Sequence, residues 1–268
     1  MYYKQKNNIS GGISTMSEEK RVMRDEEAKK LSLEKLLKKS DSSRNNKAFI
    51  CGTIQEELRY DHNVKWENFY RTEIKVKRLS GNVDLIPIIV SEIWVKNILK
   101  ENLVGKFVTI VGQFRSYNKH DEDNKSHLEL FLFATEFKLN DENNAEEEIC
   151  DTNMIFLDGY LCKAPVLRKT PKGRFITDCL IATNRLYGKS DYIPGIAWGR
   201  TAKWLSNFKE GDRFQLYGRI QSREYSKIVD KDEPKEQGEV TRVIKIAYEI
   251  SIKRIQNKRE EQPEIETI

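Results

Sequence analysis

The sequence predicts an all-β chain of two tandem five-stranded Greek-key barrels with a short helix in each, flanked by flexible N- and C-terminal tails. Two observations predict this. The chain repeats itself at a nearly constant offset, and each copy alternates apolar and polar residues with the period of half-buried strands. NKAFICG at 46–52 lines up with NMIFLDG at 153–159, RLSG at 78–81 with RLYG at 185–188, and DLIP at 84–87 with DYIP at 191–194, all 107 residues apart. GKFVTIVG at 105–112 then matches GDRFQLYG at 211–218 at an offset of 106. Four matches in order, with one residue deleted between them, describe a duplicated domain.

The elements follow in chain order. Residues 1–45 read as a flexible or partly helical extension: 17–39 is charged, with Leu31, Leu33, Leu36 and Leu37 gathered late. Gly11 and Gly12 stand three residues ahead of Met16, and two glycine codons at that spacing can spell a ribosome-binding site. Translation is therefore expected to begin at Met16, and native peptides containing Tyr2 or Lys4 would exclude this. The first copy, 46–139, gives strands at 49–54, 73–76, 86–90, 107–114 and 127–137, with a helix at 93–100. The second, 153–256, gives strands at 155–161, 177–183, 193–198, 214–220 and 240–252, with a helix at 201–207. Five strands with a helix between the third and fourth is the OB-fold plan, a partly open Greek-key barrel. Residues 140–152 are acidic and lack apolar periodicity, so they read as a linker. Residues 257–268 read as an acidic tail.

Composition narrows the function classes. Of 268 residues, 38% are hydrophobic and 33% charged, so much of the chain is expected to be solvated. No apolar run is long enough to span a membrane, and the N-terminus lacks the apolar stretch of a secretory signal. Cys51, Cys150, Cys162 and Cys179 show no paired spacing and read as free thiols in a reducing cytoplasm. The net charge of +5 is unevenly distributed: residues 46–138 carry +1, 139–152 carry −6, 153–258 carry +9 and 259–268 carry −3. A basic second half attracts polyanions without regard to sequence.

The second copy carries a resemblance. Asn153 to Gly159, APVLRKTPKGR at 164–174, IATNR at 181–185, DYIP at 191–194, Trp198-Gly199-Arg200, KEGDR at 209–213 and Gly218 to Tyr225 resemble, in order and spacing, the bacterial single-stranded DNA-binding protein family. The resemblance covers roughly 153–255. It implies that bases stack on aromatic residues at the ends of the second and fourth strands and along the third. Those positions fall on Tyr187, Tyr192, Trp198 and Tyr225. Arg168, Arg174, Arg185, Lys189, Arg200, Arg219 and Arg223 are the neighbouring cations expected to follow the phosphates. Tyr192 and Trp198 are six residues apart, so a regular strand points both to one side. The first copy matches mainly through its likeness to the second. It has Ser80, Leu85, Ser91 and about Lys119 where the second has rings, and it reads as a degenerate barrel that binds weakly or serves assembly. The family works with four barrels, which implies a homodimer here. Its members end in an acidic tail with an apolar tip that recruits replication or repair proteins. This chain ends in acidic residues and Ile268 but departs from the usual motif, which puts that route in doubt.

Catalysis is not expected, and neither is a cofactor or metal. Gly188-Lys189-Ser190 looks like the end of a phosphate-binding loop, but Thr183 stands where that loop needs glycine, and a strand rather than a helix follows. His120 lies beside Asp121 and Asp123 without a Cys/His framework, so these read as solvated side chains. No nucleophile–base pair stands out. The reading is a non-enzymatic binder of single-stranded DNA with little sequence preference, acting in replication, recombination or repair. The alternatives are a primosomal or mobile-element replication accessory and a single-stranded RNA binder.

Overall fold

The computed structural model describes residues 45–78, 80–120, 126–140, 152–185, 188–228 and 242–256. Met16, the leucine cluster, Asp121, Asp123, Cys150, Tyr187 and the tail lie outside them. The elements run β1 (Asn46–Ile54), β2 (Arg59–Val64), β3 (Glu67–Lys77), β4 (Val83–Ser91), α1 (Glu92–Val95), β5 (Phe107–His120) and β6 (Ser126–Leu139). The second copy repeats this order as β7 (Asn153–Leu161), β8 (Val166–Lys169), β9 (Phe175–Asn184), β10 (Ser190–Trp198), α2 (Gly199–Leu205), β11 (Arg213–Ile228) and β12 (Arg242–Gln256).

Each copy is a closed Greek-key barrel of the OB type. β4 and β10 run parallel to β6 and β12, and β1 and β7 also pair with β3 and β9, which joins the two ends of each sheet. Inward positions alternate with outward ones. In the first barrel Ile50, Ile74, Ile86, Ile88, Ile110, Phe114 and Leu132 fill the interior, and in the second Leu157, Ile181, Ile193, Phe214, Leu216, Ile220 and Ile250 do so. The paired glycines of the repeat have a steric role. β5 and β11 shift register at Gly112 and Gly218, where a Cβ would collide with the carbonyl oxygens of Phe133 and Ser251.

The structure corrects three local expectations. β2 and β8 are additional strands, each a free edge paired only with β3 or β9. β8 is exposed at all four positions and β2 buries none fully, so neither carries the alternation that marks a strand. The first helix is a single turn, not 93–100, because Val95 is its one buried anchor. The second runs over Gly199–Leu205, starting and ending two residues earlier than 201–207.

The two barrels form one sheet. β1 pairs antiparallel with β7, with Ala48 opposite Ile155, Asn46 opposite Leu157 and Ile50 opposite Asn153. Ala48 and Ile155 are themselves equivalent positions of the repeat, so a local two-fold axis passes through that pair. The geometry is that of an isologous dimer contact made within one chain. Around the axis every contact occurs twice. The Asn46 amide donates to the Phe114 carbonyl and accepts from the Phe114 N–H, and Asn153 does the same with Ile220. Asp191, buried and paired with Arg185, accepts the N–H of Ser116 from the other barrel. Asp84, buried and paired with Arg78, accepts the N–H of Ser222. The hydroxyls of Ser116 and Ser222 in turn accept the N–H groups of Tyr192 and Leu85. The long hairpins β5–β6 and β11–β12 thus each cross onto the opposite barrel.

Removing one member of such a buried pair leaves its partner's charge uncompensated. Asp84→Ala and Asp191→Ala are each expected to lower stability in urea unfolding by about 3 kcal/mol. A loss below about 1 kcal/mol, the range of an exposed pair, would show that these carboxylates do not hold the barrels together.

Candidate nucleic-acid interface

Strand β10 builds the centre of the site. Tyr192 and Trp198 face outward, with Ile196 between them on the same side covered, and the register against β9 sets Tyr192 opposite Ala182 and Trp198 opposite Ile176. Both rings remain 47% and 42% exposed while Ile193, Gly195 and Ala197 between them are buried. They are surface rings and not core. β8 continues the same face, with Arg168 opposite Ile176 and Val166 opposite Asp178. Arg168 Nε donates to Asp178 Oδ2 at 2.5 Å, and that hydrogen bond raises its pKa. Arg174, Lys189 and Arg200 are exposed around this face. The structure adds Lys169 and Lys203, whose ammonium groups lie 4.9 and 4.4 Å from the centre of the Phe175 ring. The rim is cationic and the floor is aromatic and aliphatic.

Four expected site residues have other places. Arg185 is committed to the inter-barrel contact: it pairs with Asp191 and donates to the Ser116 carbonyl at 2.7 Å. Arg219 faces the other such contact. Its Nε is buried without a hydrogen-bond partner, and burial with nearby Arg78 pushes its pKa down. Tyr225 is exposed, but it lies three residues beyond Ser222, which is bonded to Asp84 and Leu85. Its hairpin carries it over the first barrel, as it does Arg223, which lies 3.7 Å from Glu249. The reciprocal hairpin brings Tyr117 to the second barrel. Tyr117 is exposed, and its neighbour Ser116 accepts the N–H of Tyr192. Tyr117 occupies the repeat position of Arg223, and no local pattern marks it because its neighbourhood comes from the other copy.

The outer face of the first barrel is already filled. His62 stacks on Phe69 at 4.9 Å, Phe69 packs on Phe133 at 5.7 Å, and the Arg115 guanidinium lies 3.8 Å over Phe133. Burial and the charge of Arg185 push Arg115 down to about 10, so it stays cationic at neutral pH. Arg71 bridges Asp61 and Glu129. Burial raises the Asp61 carboxyl, but hydrogen bonds from His62 and Arg71 outweigh it and hold the group below its ordinary value. Ser91, at the repeat position of Trp198, is buried and donates to Glu67, which occupies the position of Arg174. A carboxylate–hydroxyl pair therefore replaces a cation and a ring.

Among the described residues, no group of three His, Cys, Asp or Glu is placed to hold a metal ion, and no helix is long and apolar enough to cross a membrane.

Residues 152–256 match the model of the single-strand binding protein family. The chain is 35% identical over 80 residues to single-stranded DNA-binding protein A of Bacillus subtilis (strain 168), covering 27% of this chain and 46% of that protein. It is 35% identical over 80 residues to single-stranded DNA-binding protein 2 of Listeria innocua, covering 27% and 50%. The chain thus spans about half the length of these curated relatives. Among solved structures, a deletion mutant of the single-stranded DNA binding protein from Thermus aquaticus superposes with a TM-score of 0.62 at 16% identity, covering 82% of this chain and 98% of that one. At that identity the likeness shows the fold, here for both barrels together.

The inner side of the platform yields a chemical check. Cys179 is buried on β9, and burial followed by the charge of Asp178 pushes its thiol up to about 12. The thiolate is the reactive form. Cys179 is therefore expected to resist a maleimide at pH 8 in the folded chain and to react once urea unfolds it, as read by mass spectrometry. Fast labelling without urea would mean that β9 is not covered in solution.

Proposed function

We propose that this chain, whose residues 152–256 match the model of the single-strand binding protein family, binds single-stranded DNA with little sequence preference and protects it during replication, recombination or repair. The carrying observation is the β10 face: Tyr192 and Trp198 exposed on one side of one strand, framed by Arg168, Lys169, Arg174, Lys189, Arg200 and Lys203. A single strand offers base faces and phosphates. Exposed rings stack on the first, and mobile cations follow the second. Such contacts read no base edge, which accounts for tolerance of sequence. Tyr187 lies outside the described residues and is included on the resemblance of its sequence position alone, and Tyr225 and Arg223 serve where the β11–β12 hairpin overhangs the first barrel. Arg185 and Arg219 contribute positive potential from their positions between the barrels. The chain acts as a binder and not as an enzyme.

The crossed hairpins make the site composite. Tyr117 belongs to the first barrel by sequence, and its chain neighbour Ser116 accepts the N–H of Tyr192, which brings this part of β5 to the edge of the second barrel's platform. The first barrel, with its face closed by Phe69, Phe133 and Arg115, contributes this ring and a smaller share of strand contact. Two chains associating as a homodimer would bring four barrels to one strand and raise the effective concentration of each site.

Titration of the full chain with poly-dT, followed by tryptophan quenching and by the mobility of a labelled oligonucleotide, tests this. Trp198→Ala is expected to weaken binding about 5- to 100-fold, the range of one lost stacking contact. Tyr117→Ala is expected to weaken it by at least ~5-fold, although the residue lies outside the family-matched segment. Affinity should fall as salt rises. No binding at low salt would overturn the proposal, and an unchanged Tyr117→Ala affinity would remove the composite site from it.

A further inference from the structure

We infer that the end of the first barrel formed by the β2–β3 turn and α1 is a protein-docking surface, taking an apolar segment that carries basic residues. The inference does not rest on the DNA-binding reading. It comes from comparing the two copies at this end, where the second barrel serves as an internal control.

The β2–β3 turn is Lys65-Trp66, and the matched turn in the second copy is Lys172-Gly173. Both place the second residue in the left-handed region, with φ of 72° at Trp66 and 78° at Gly173. Glycine adopts that conformation without steric cost, whereas a bulky side chain there is strained. Trp66 is nevertheless 98% exposed, so packing within the described fold gives it no compensation. Strain held at a residue with no structural return points to a use outside the fold.

Trp66 has apolar company. Ser91 donates to Glu67, and Asn68 Nδ2 donates to Glu92 Oε2 at 2.8 Å, which ties the base of the turn to the first turn of α1. Immediately after Glu92 come Ile93, 75% exposed, and Trp94, 44% exposed. Val64, at the other foot of the turn, is also exposed. In the second copy the positions of Ile93 and Trp94 are Arg200 and Thr201, and those of Glu67 and Glu92 are Arg174 and Gly199. Lysine is kept at 65 and 172 and at 96 and 203. The matched set therefore carries a formal charge of +4 in the second barrel and zero in the first.

This exchange decides the class of partner. Replacing Arg174 and Arg200 by Glu67 and Ile93, and Gly199 by Glu92, removes the attraction for phosphates that the other end keeps. Two exposed indoles and an isoleucine beside carboxylates instead match the composition of a protein interface, in which aromatic residues anchor the contact. Glu67 and Glu92 select lysine or arginine on the partner.

Direct binding tests this on the full chain. The probes are a fluorescent 15-residue peptide of alternating leucine and lysine in amphipathic order, its leucine–glutamate counterpart, and a labelled oligo-dT. The leucine–lysine peptide is expected to bind saturably and the leucine–glutamate peptide at least ~10-fold more weakly. The triple variant Trp66→Gly, Ile93→Arg, Trp94→Thr installs the second barrel's residues and should weaken the leucine–lysine peptide at least ~10-fold while leaving oligo-dT binding within about 2-fold. Glu67→Lys with Glu92→Lys keeps the apolar residues and should reverse the preference between the two peptides. Unfolding in urea confirms that the variants fold. Absence of saturable peptide binding, or binding unchanged in both variants, overturns the inference. So does a tenfold loss of oligo-dT affinity in the triple variant, which would make this end a strand contact. Failure of oligo-dT to bind the unaltered chain would overturn the DNA-binding proposal and leave the peptide result standing.

Discussion

The antiparallel pairing of β1 with β7 is the contact on which the remaining architecture depends. It turns two barrels into one sheet, and its register places equivalent residues, Ala48 and Ile155, on a local two-fold axis. Everything near that axis is then duplicated: the asparagine amides that bind Phe114 and Ile220, the buried aspartates, and the hairpins that cross in opposite directions. A shift of one residue in this register would exchange the inward and outward faces of both strands. It would also separate Asp84 and Asp191 from the N–H groups they accept.

Because the hairpins cross, neither barrel owns its surface. The second barrel's platform has its two best-placed rings on β10 but borrows the Tyr117 neighbourhood from the first. The first barrel receives Tyr225 and Arg223 in return. Between them, four arginines crowd the aspartate pairs: Arg78 and Arg219 at one, Arg185 and Arg115 at the other. Their charge lies close to the interface without being free to follow a phosphate. The cations suited to that work are those on β8, the β8–β9 turn and α2, where side chains are exposed.

Duplication freed the first copy to diverge. Its outer face closed over stacked His62, Phe69 and Phe133, and its turn carries Trp66 where the second copy has Gly173, both with positive φ. The hydrogen bonds that hold the local dyad are kept in both copies, by Asn46 and Asn153, by Asp84 and Asp191, and by Ser222 and Ser116.

Much of this was legible in the sequence. The repeat could be read because glycines at 52, 112, 159 and 218 and aspartates at 84 and 191 meet constraints that are local and identical in both copies. The alternation that placed Tyr192 and Trp198 on one face is a property of a single strand, so six residues of spacing sufficed. β2 and β8 escaped because edge strands with exposed side chains lack that alternation, and the first helix was read too long because propensity outran its single buried anchor. The sequence by itself determined two duplicated β-barrels, a basic second half and the residues of the β10 face. Only the tertiary structure decided that β1 joins β7, that Arg185 and Arg219 serve the joint, and that Tyr117 and Tyr225 cross to the opposite barrel. A strand's own pattern states which side is apolar, but its partner is chosen by contacts between residues a hundred positions apart.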